Sequence, residues 1–91
     1  MQVAMEIQID SHTLERAEER GATKEEIIDV IMNGTPIQAK HGRLAKAKVY
    51  PYGKLRGNKL FEQKRIEVIY VIEQNTTVTV TVYVFYGKWV H

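Results

Sequence analysis

Ninety-one residues without a cysteine, 44% of them hydrophobic, exclude disorder, a disulfide scaffold and a second core. No apolar run approaches the roughly 18–20 residues that cross a bilayer. The start Met1-Gln2-Val3-Ala4-Met5-Glu6 lacks the basic and apolar regions of a signal peptide, so one soluble, cytoplasmic domain without membrane contact is expected. The formal charge of +2 is unevenly spread: residues 1–39 carry three basic and eight acidic side chains, and residues 40–65 carry nine basic ones against Glu62 alone. Such a stretch suits a phosphate backbone, or else docks on the chain's own acidic helices.

In chain order, residues 3–9 read as a first strand with Met5, Ile7 and Ile9 on one face. Asp10 or Ser11 offers an N-cap for a helix from His12 to about Arg20, closed by Gly21. Its only apolar residues are Leu14 and Ala17, so it must lie on the surface and lean on tertiary contact. Thr23-Lys24-Glu25-Glu26 is a capping box, followed by the apolar stripe Ile27, Ile28, Val30, Ile31 and Met32 and a stop at Asn33-Gly34.

Pro36 forbids further helix, and the remainder reads as strands, with a short extra one near residues 37–40. Leu44–Tyr50 alternates, Ala45, Ala47 and Val49 against Lys46, Lys48 and Tyr50. Pro51–Lys59, with Gly53 and Gly57, is expected to be a loop. Leu60–Glu73 and Thr77–Tyr86 form a long hairpin. Matching Ile66, Val68, Tyr70 and Ile72 to Val78, Val80, Val82 and Val84 requires a three-residue turn with Glu73 opposite Thr77. The threonines 77, 79 and 81 then share an open face with Arg65 and Tyr83. The fold class is α+β: strand, two helices, then an antiparallel sheet of three to four strands with both helices on one face.

Three groups of side chains could carry chemistry. Lys46 and Lys48, two apart on a strand, with Lys64 or Arg65 alongside, could hold a phosphodiester and its pentacoordinate transition state; the alternative is a solvated strand face. Tyr86, near Tyr83 and Trp89, could stack on a base or orient a 2′-hydroxyl, or simply close the core. His12, Arg16 and Arg20 share one helix face, and His12 titrates near neutrality. His12, His41 and His91 match no metal-ligand spacing, and no cofactor is expected.

The pattern His12-x-x-x-Arg16-x-x-x-Arg20-Gly21 followed by Thr23-Lys24-Glu25-Glu26-Ile27, together with Glu67–Val71 and Thr81–Trp89, resembles an uncharacterised bacterial family built on a domain of unknown function, DUF4258. That family is similar in layout to the RelE-like toxins and the wider barnase–EndoU–colicin–RelE grouping of metal-independent ribonucleases. The resemblance implies an RNA or ribosome partner, an antitoxin or a second copy as protein partner, and Lys46, Lys48, Arg65, Tyr86 and His12 as catalytic positions. Lys40, Arg43, Lys54, Arg56, Lys64, Arg16 and Arg20 would then contact RNA. Two functions are expected from these readings: metal-independent RNA cleavage by 2′-hydroxyl attack, or non-catalytic binding of RNA or protein by the same fold. The last strand carries valines and threonines where active toxins of that grouping have arginines.

Overall fold

The computed structural model describes residues 6–89. Its elements are β1 (Glu6–Gln8), α1 (Ser11–Arg20), α2 (Lys24–Asn33), β2 (Thr35–Ile37), β3 (Leu44–Arg56), β4 (Lys59–Glu73) and β5 (Thr76–Gly87). Met5 and His91 lie outside the described residues. The first helix starts because the Asp10 carboxylate accepts the Thr13 N–H at 2.9 Å. It ends at Gly21, whose φ of 96° is left-handed. Both halves of the α2 capping box form: the Thr23 hydroxyl accepts the Glu26 N–H at 3.1 Å, and the Glu26 carboxylate accepts the Thr23 N–H at 3.0 Å.

The strands make one five-stranded sheet in the order β1-β5-β4-β3-β2, larger than the three to four strands expected. β1 runs parallel to β5 over Thr76–Val78, and the other pairings are antiparallel. β2 lies slightly earlier than the extra strand expected near 37–40, and Pro36 is tolerated there because β2 is an edge. The expected loop 51–59 is also absent. β3 and β4 continue as a paired arm to Arg56 and Lys59, with a register shift between Pro51 and Lys54 absorbing Gly53 and a turn at Gly57-Asn58.

The β4–β5 hairpin follows the expected register over one half only. Val68 faces Val82, Ile66 faces Val84 and Lys64 faces Tyr86, as the valine pattern requires. Nearer the turn Glu73 pairs with Thr76, so the loop has two residues, Gln74 and Asn75, with φ of 51° and 67°. Positive φ at both positions is the signature of a type I′ turn, whose twist suits a hairpin. The two registers are reconciled by a bulge: Ile69 faces Thr81 and Tyr70 faces Thr79, leaving Val80 unpaired.

The bulge exchanges the faces of β5. Thr77 and Thr79, expected on the open side, are buried beneath α1, where the Thr79 and Thr13 hydroxyls are 3.1 Å apart. Leu14 is 37% exposed, and the buried side of α1 is Thr13 and Ala17. The core between helices and sheet is Ala17, Ala22, Ile27, Val30, Ile31, Ile66, Val68, Tyr70 and Val82. Each of its fully buried aliphatic side chains contributes about 1.5–3 kcal/mol.

Gln74 occupies a left-handed position that glycine, asparagine and aspartate fill at lower cost. The double substitution Gln74→Asn, Asn75→Gly is expected to raise unfolding free energy by about 0.5–1 kcal/mol in a urea titration. A loss of stability would contradict the turn assignment.

Candidate functional site

The register decides which basic side chains can act together. Lys46 pairs with Val68, Lys48 with Ile66 and Tyr50 with Lys64, so these polar side chains share the helix-covered face with the core valine and isoleucine. Arg65 pairs with Val49 and Phe85 on the opposite face. Arg65 therefore does not join Lys46 and Lys48, which corrects the expected phosphate cluster of the three.

The inward cations are held by the helices. Lys46 donates its ammonium to the Ile31 carbonyl at 2.8 Å, in the last turn of α2, where the helix dipole favours a positive charge. Lys48 and Tyr50 both donate to Asp29 Oδ2 at 2.6 Å, while Asn33 donates to its other oxygen at 2.8 Å. Lys64, nearly buried, donates to the Gly21 carbonyl and to Glu26 Oε1, each at 2.9 Å. Glu26, Asp29 and Asn33 recur at i, i+3 and i+7, so α2 turns one polar edge toward β3 and β4. The hydrogen bonds from Lys48, Tyr50 and Asn33, in that order, hold the Asp29 carboxyl far below its usual range.

A second set gathers at the end of α1. Tyr86 donates its hydroxyl to the Arg20 carbonyl at 2.6 Å, Arg56 reaches the Glu19 carbonyl at 3.2 Å, and Lys64 takes the next one, at Gly21. Side chains from three strands thus satisfy consecutive carbonyls that the helix leaves without partners. The Arg56 guanidinium lies 4.6 Å from the Tyr86 ring centre, with Tyr52 at 5.0 Å and Phe61 at 5.7 Å from the same ring. Burial pushes the Tyr86 phenol above its ordinary value, only partly offset by Arg56, so at neutral pH it is a proton donor. A methyl group on Gly21 would collide with the Tyr86 hydroxyl and approach Arg56, so glycine is required by space as well as by its φ.

The paired arm beyond Pro51 carries the outward cations. Lys54 lies over the Tyr52 ring at 5.9 Å and Lys59 over Phe61 at 5.5 Å, and neither has an acidic partner among the described residues. The two glycines make Tyr52 and Lys59 read as part of a loop, and Phe61, placed in the strand Leu60–Glu73, has no expected role. The alternation of Tyr52, Lys54 and Arg56 was the available signal.

The remaining predicted positions are dispersed. His12 is exposed in the first turn of α1, eight residues before Arg20, which places it about 12 Å along the axis from the Tyr86 hydroxyl's acceptor. Arg16 pairs with Glu19 at 3.4 Å. Arg20 donates to the Val82 carbonyl at 2.5 Å and lies 5.2 Å from the Tyr83 ring centre. Lys40 and Arg43 are exposed in the loop before β3, at the opposite end of that strand from the arm. Among the described residues no three His, Cys, Asp or Glu side chains are grouped to hold a metal ion, and no helix is long and apolar enough to cross a membrane.

Two helices packed on one face of a mixed five-stranded sheet, with a cationic and aromatic arm at its end, define a small α+β protein. The sequence profile described as "Domain of unknown function (DUF4258)" matches residues 9–84, and the chain belongs to that family. Neither the curated proteins nor the solved structures contain a match to it.

Two outcomes follow from this geometry. Gly21→Ala is expected to cost at least about 2 kcal/mol of stability in chemical denaturation. The second concerns Asp29, whose pKa is depressed in the folded chain. Its stabilising effect is full above the unfolded value of about 4 and is lost as pH falls toward the folded one. Asp29→Asn should therefore be less stable than wild type at neutral pH, and the gap should close as thermal unfolding is followed from about pH 5 downward. A gap that does not narrow with acid would show that the carboxylate is not ionised against Lys48 and Tyr50.

Proposed function

We propose that this chain binds single-stranded RNA along the β3–β4 arm. The observation that carries the reading is the interleaving of cations and rings there. Lys54, Arg56, Lys59 and Lys64 each lie within 6.0 Å of the ring centre of Tyr52, Phe61 or Tyr86. Aromatic faces that stack bases, among cations that track a phosphate backbone, are how single strands are held without sequence readout. Lys54 and Lys59 are the cations free to exchange counterions for phosphates, whereas Lys46, Lys48 and Lys64 already have partners in the helices. RNA, rather than another polyanion, is the ligand that the sequence's resemblance in layout to the RelE-like toxins suggests.

A second reading, metal-independent cleavage, is favoured by one observation. The Tyr86 hydroxyl is a protonated donor with Arg56 over its ring and Lys64 on the neighbouring strand. In such a step this phenol, released from the Arg20 carbonyl, would protonate the leaving 5′-oxygen while the RNA's own 2′-hydroxyl attacks phosphorus and gives its proton to solvent, with Arg56 beside the phosphate. His12 stands apart from this group.

Fluorescence anisotropy with labelled single-stranded RNA tests the binding. Affinity should fall steeply between about 50 and 200 mM salt, and Lys54→Ala with Lys59→Ala should reduce the logarithmic salt slope by about 1.4, near 0.7 per contact. Lys46→Ala should leave the slope unchanged. An identical slope in the arm variant would overturn the proposal. The same RNA incubated in EDTA separates the two readings: cleavage by wild type that Tyr86→Phe abolishes establishes the nuclease, and intact RNA leaves a binding module.

A further inference from the structure

The face of the sheet away from the helices holds a second surface that the arm does not use. The open face of an antiparallel sheet ordinarily carries polar side chains. Here Tyr83 and Phe85 stand on it, each more than 40% exposed, at 42% and 46%. Their ring centres are 6.4 Å apart and their planes 27° from parallel. That separation is close to two base-stacking steps of about 3.4 Å each.

Cations flank both rings. Arg20 reaches round the edge of β5 to lie 5.2 Å from the Tyr83 ring centre. Arg65 stands directly across from Phe85 in the ladder. It spends its Nε on Glu67 at 3.1 Å, and its two terminal nitrogens have no partner among the described residues. Glu67, which faces Tyr83, stays beside Arg65 in this ion pair, so a phosphate would be held by the outer guanidinium nitrogens and share that charge with the carboxylate.

The surface then falls away across the next two strands. A cavity of about 470 Å³, lined by Asn33, Thr35, Ile37, Lys48, Val49 and Arg65 among others, opens beside the arginine and wraps the β2–β3 edge toward the end of α2. Small Ala47 lies level with Glu67 and Tyr83, and Val49 level with Arg65 and Phe85, which is why the hollow continues the aromatic shelf. Its volume is within the range of small-molecule sites, sufficient for a nucleotide.

We infer that the open face is a base-stacking platform for single-stranded RNA: bases lie on Tyr83 and Phe85, a phosphate is held by Arg65, and a neighbouring nucleotide enters the hollow beside Ala47. This rests on the proposed RNA binding and names a further contact surface for it. Exposed rings with flanking arginines suit unpaired bases, since every base has a face to stack. A protein partner, including a second copy of this chain, would bury the same rings and is the competing occupant.

Photocrosslinking the full chain with a 4-thiouridine-labelled RNA of about twelve nucleotides, the length one such surface occupies, locates the contact by mass spectrometry. Crosslinks on Tyr83, Phe85 or the peptide beside Arg65 are expected. Tyr83→Leu and Phe85→Leu, which keep an apolar strand residue, should each weaken RNA binding roughly tenfold with an unchanged unfolding midpoint, and Phe85→Tyr should retain affinity. Crosslinks confined to residues 52–61, with full affinity in both leucine variants, would overturn this inference and leave the arm as the interface. Absence of RNA binding by wild type would overturn both. A wild-type dimer that Phe85→Leu converts to a monomer, with RNA affinity unchanged, would assign the face to a second copy.

Discussion

The turn between the two helices is held by three side chains from three strands. Arg56, Tyr86 and Lys64 donate to the carbonyls of Glu19, Arg20 and Gly21 in succession. The helices need this attachment because α1 contributes only Thr13 and Ala17 as buried side chains. A helix with so little apolar surface gains little from burial and stays in place through polar contacts. Hydrogen bonds from charged donors are worth about 1.5–3 kcal/mol each, enough to matter in a domain with a margin of a few kcal/mol.

The same attachment sorts the basic segment into two populations. Lys46, Lys48 and Lys64 are occupied by a helix carbonyl, Asp29 and Glu26, and breaking such half-buried arrangements leaves polar groups without partners. Lys54 and Lys59 extend beyond the helices, over aromatic rings. The surplus of positive charge is thus partly internal scaffolding and partly outward field. Only the second part is available to a phosphate backbone without dismantling the first. Arg56 belongs to both, since it caps α1 and stacks on Tyr86 at the base of the arm.

Local chemistry made some of this legible in the chain. Thr23 and Glu26 announce the capping box, Gly21 the helix end, and the valine period the pairing of Lys64 with Tyr86. The expected three-residue turn went wrong because a single register was imposed on the whole hairpin. One bulged residue, Val80, lets a tight turn and matched apolar faces coexist, and no period-two pattern encodes that insertion. The arm was hidden because Gly53 and Gly57 resemble loop punctuation, although a bulge and a turn use them within a continuous ladder. The alternation of Leu44–Tyr50 does not say which of its faces meets the helices, and only the β3–β4 register separates Lys48 from Arg65. The partners Glu26 and Asp29 were invisible because helix-to-sheet proximity belongs to the tertiary fold.

The claim that the inward cations are scaffolding is tested most directly by a double-mutant cycle on Lys64→Met and Glu26→Gln, read as unfolding free energy in urea. Lys64 is only 9% exposed and its ammonium contacts Glu26 at 2.9 Å, so the two substitutions should be coupled by at least about 1 kcal/mol. Strict additivity, with each single variant close to wild type, would mean that the pair holds nothing together and that Lys64 is free for another partner.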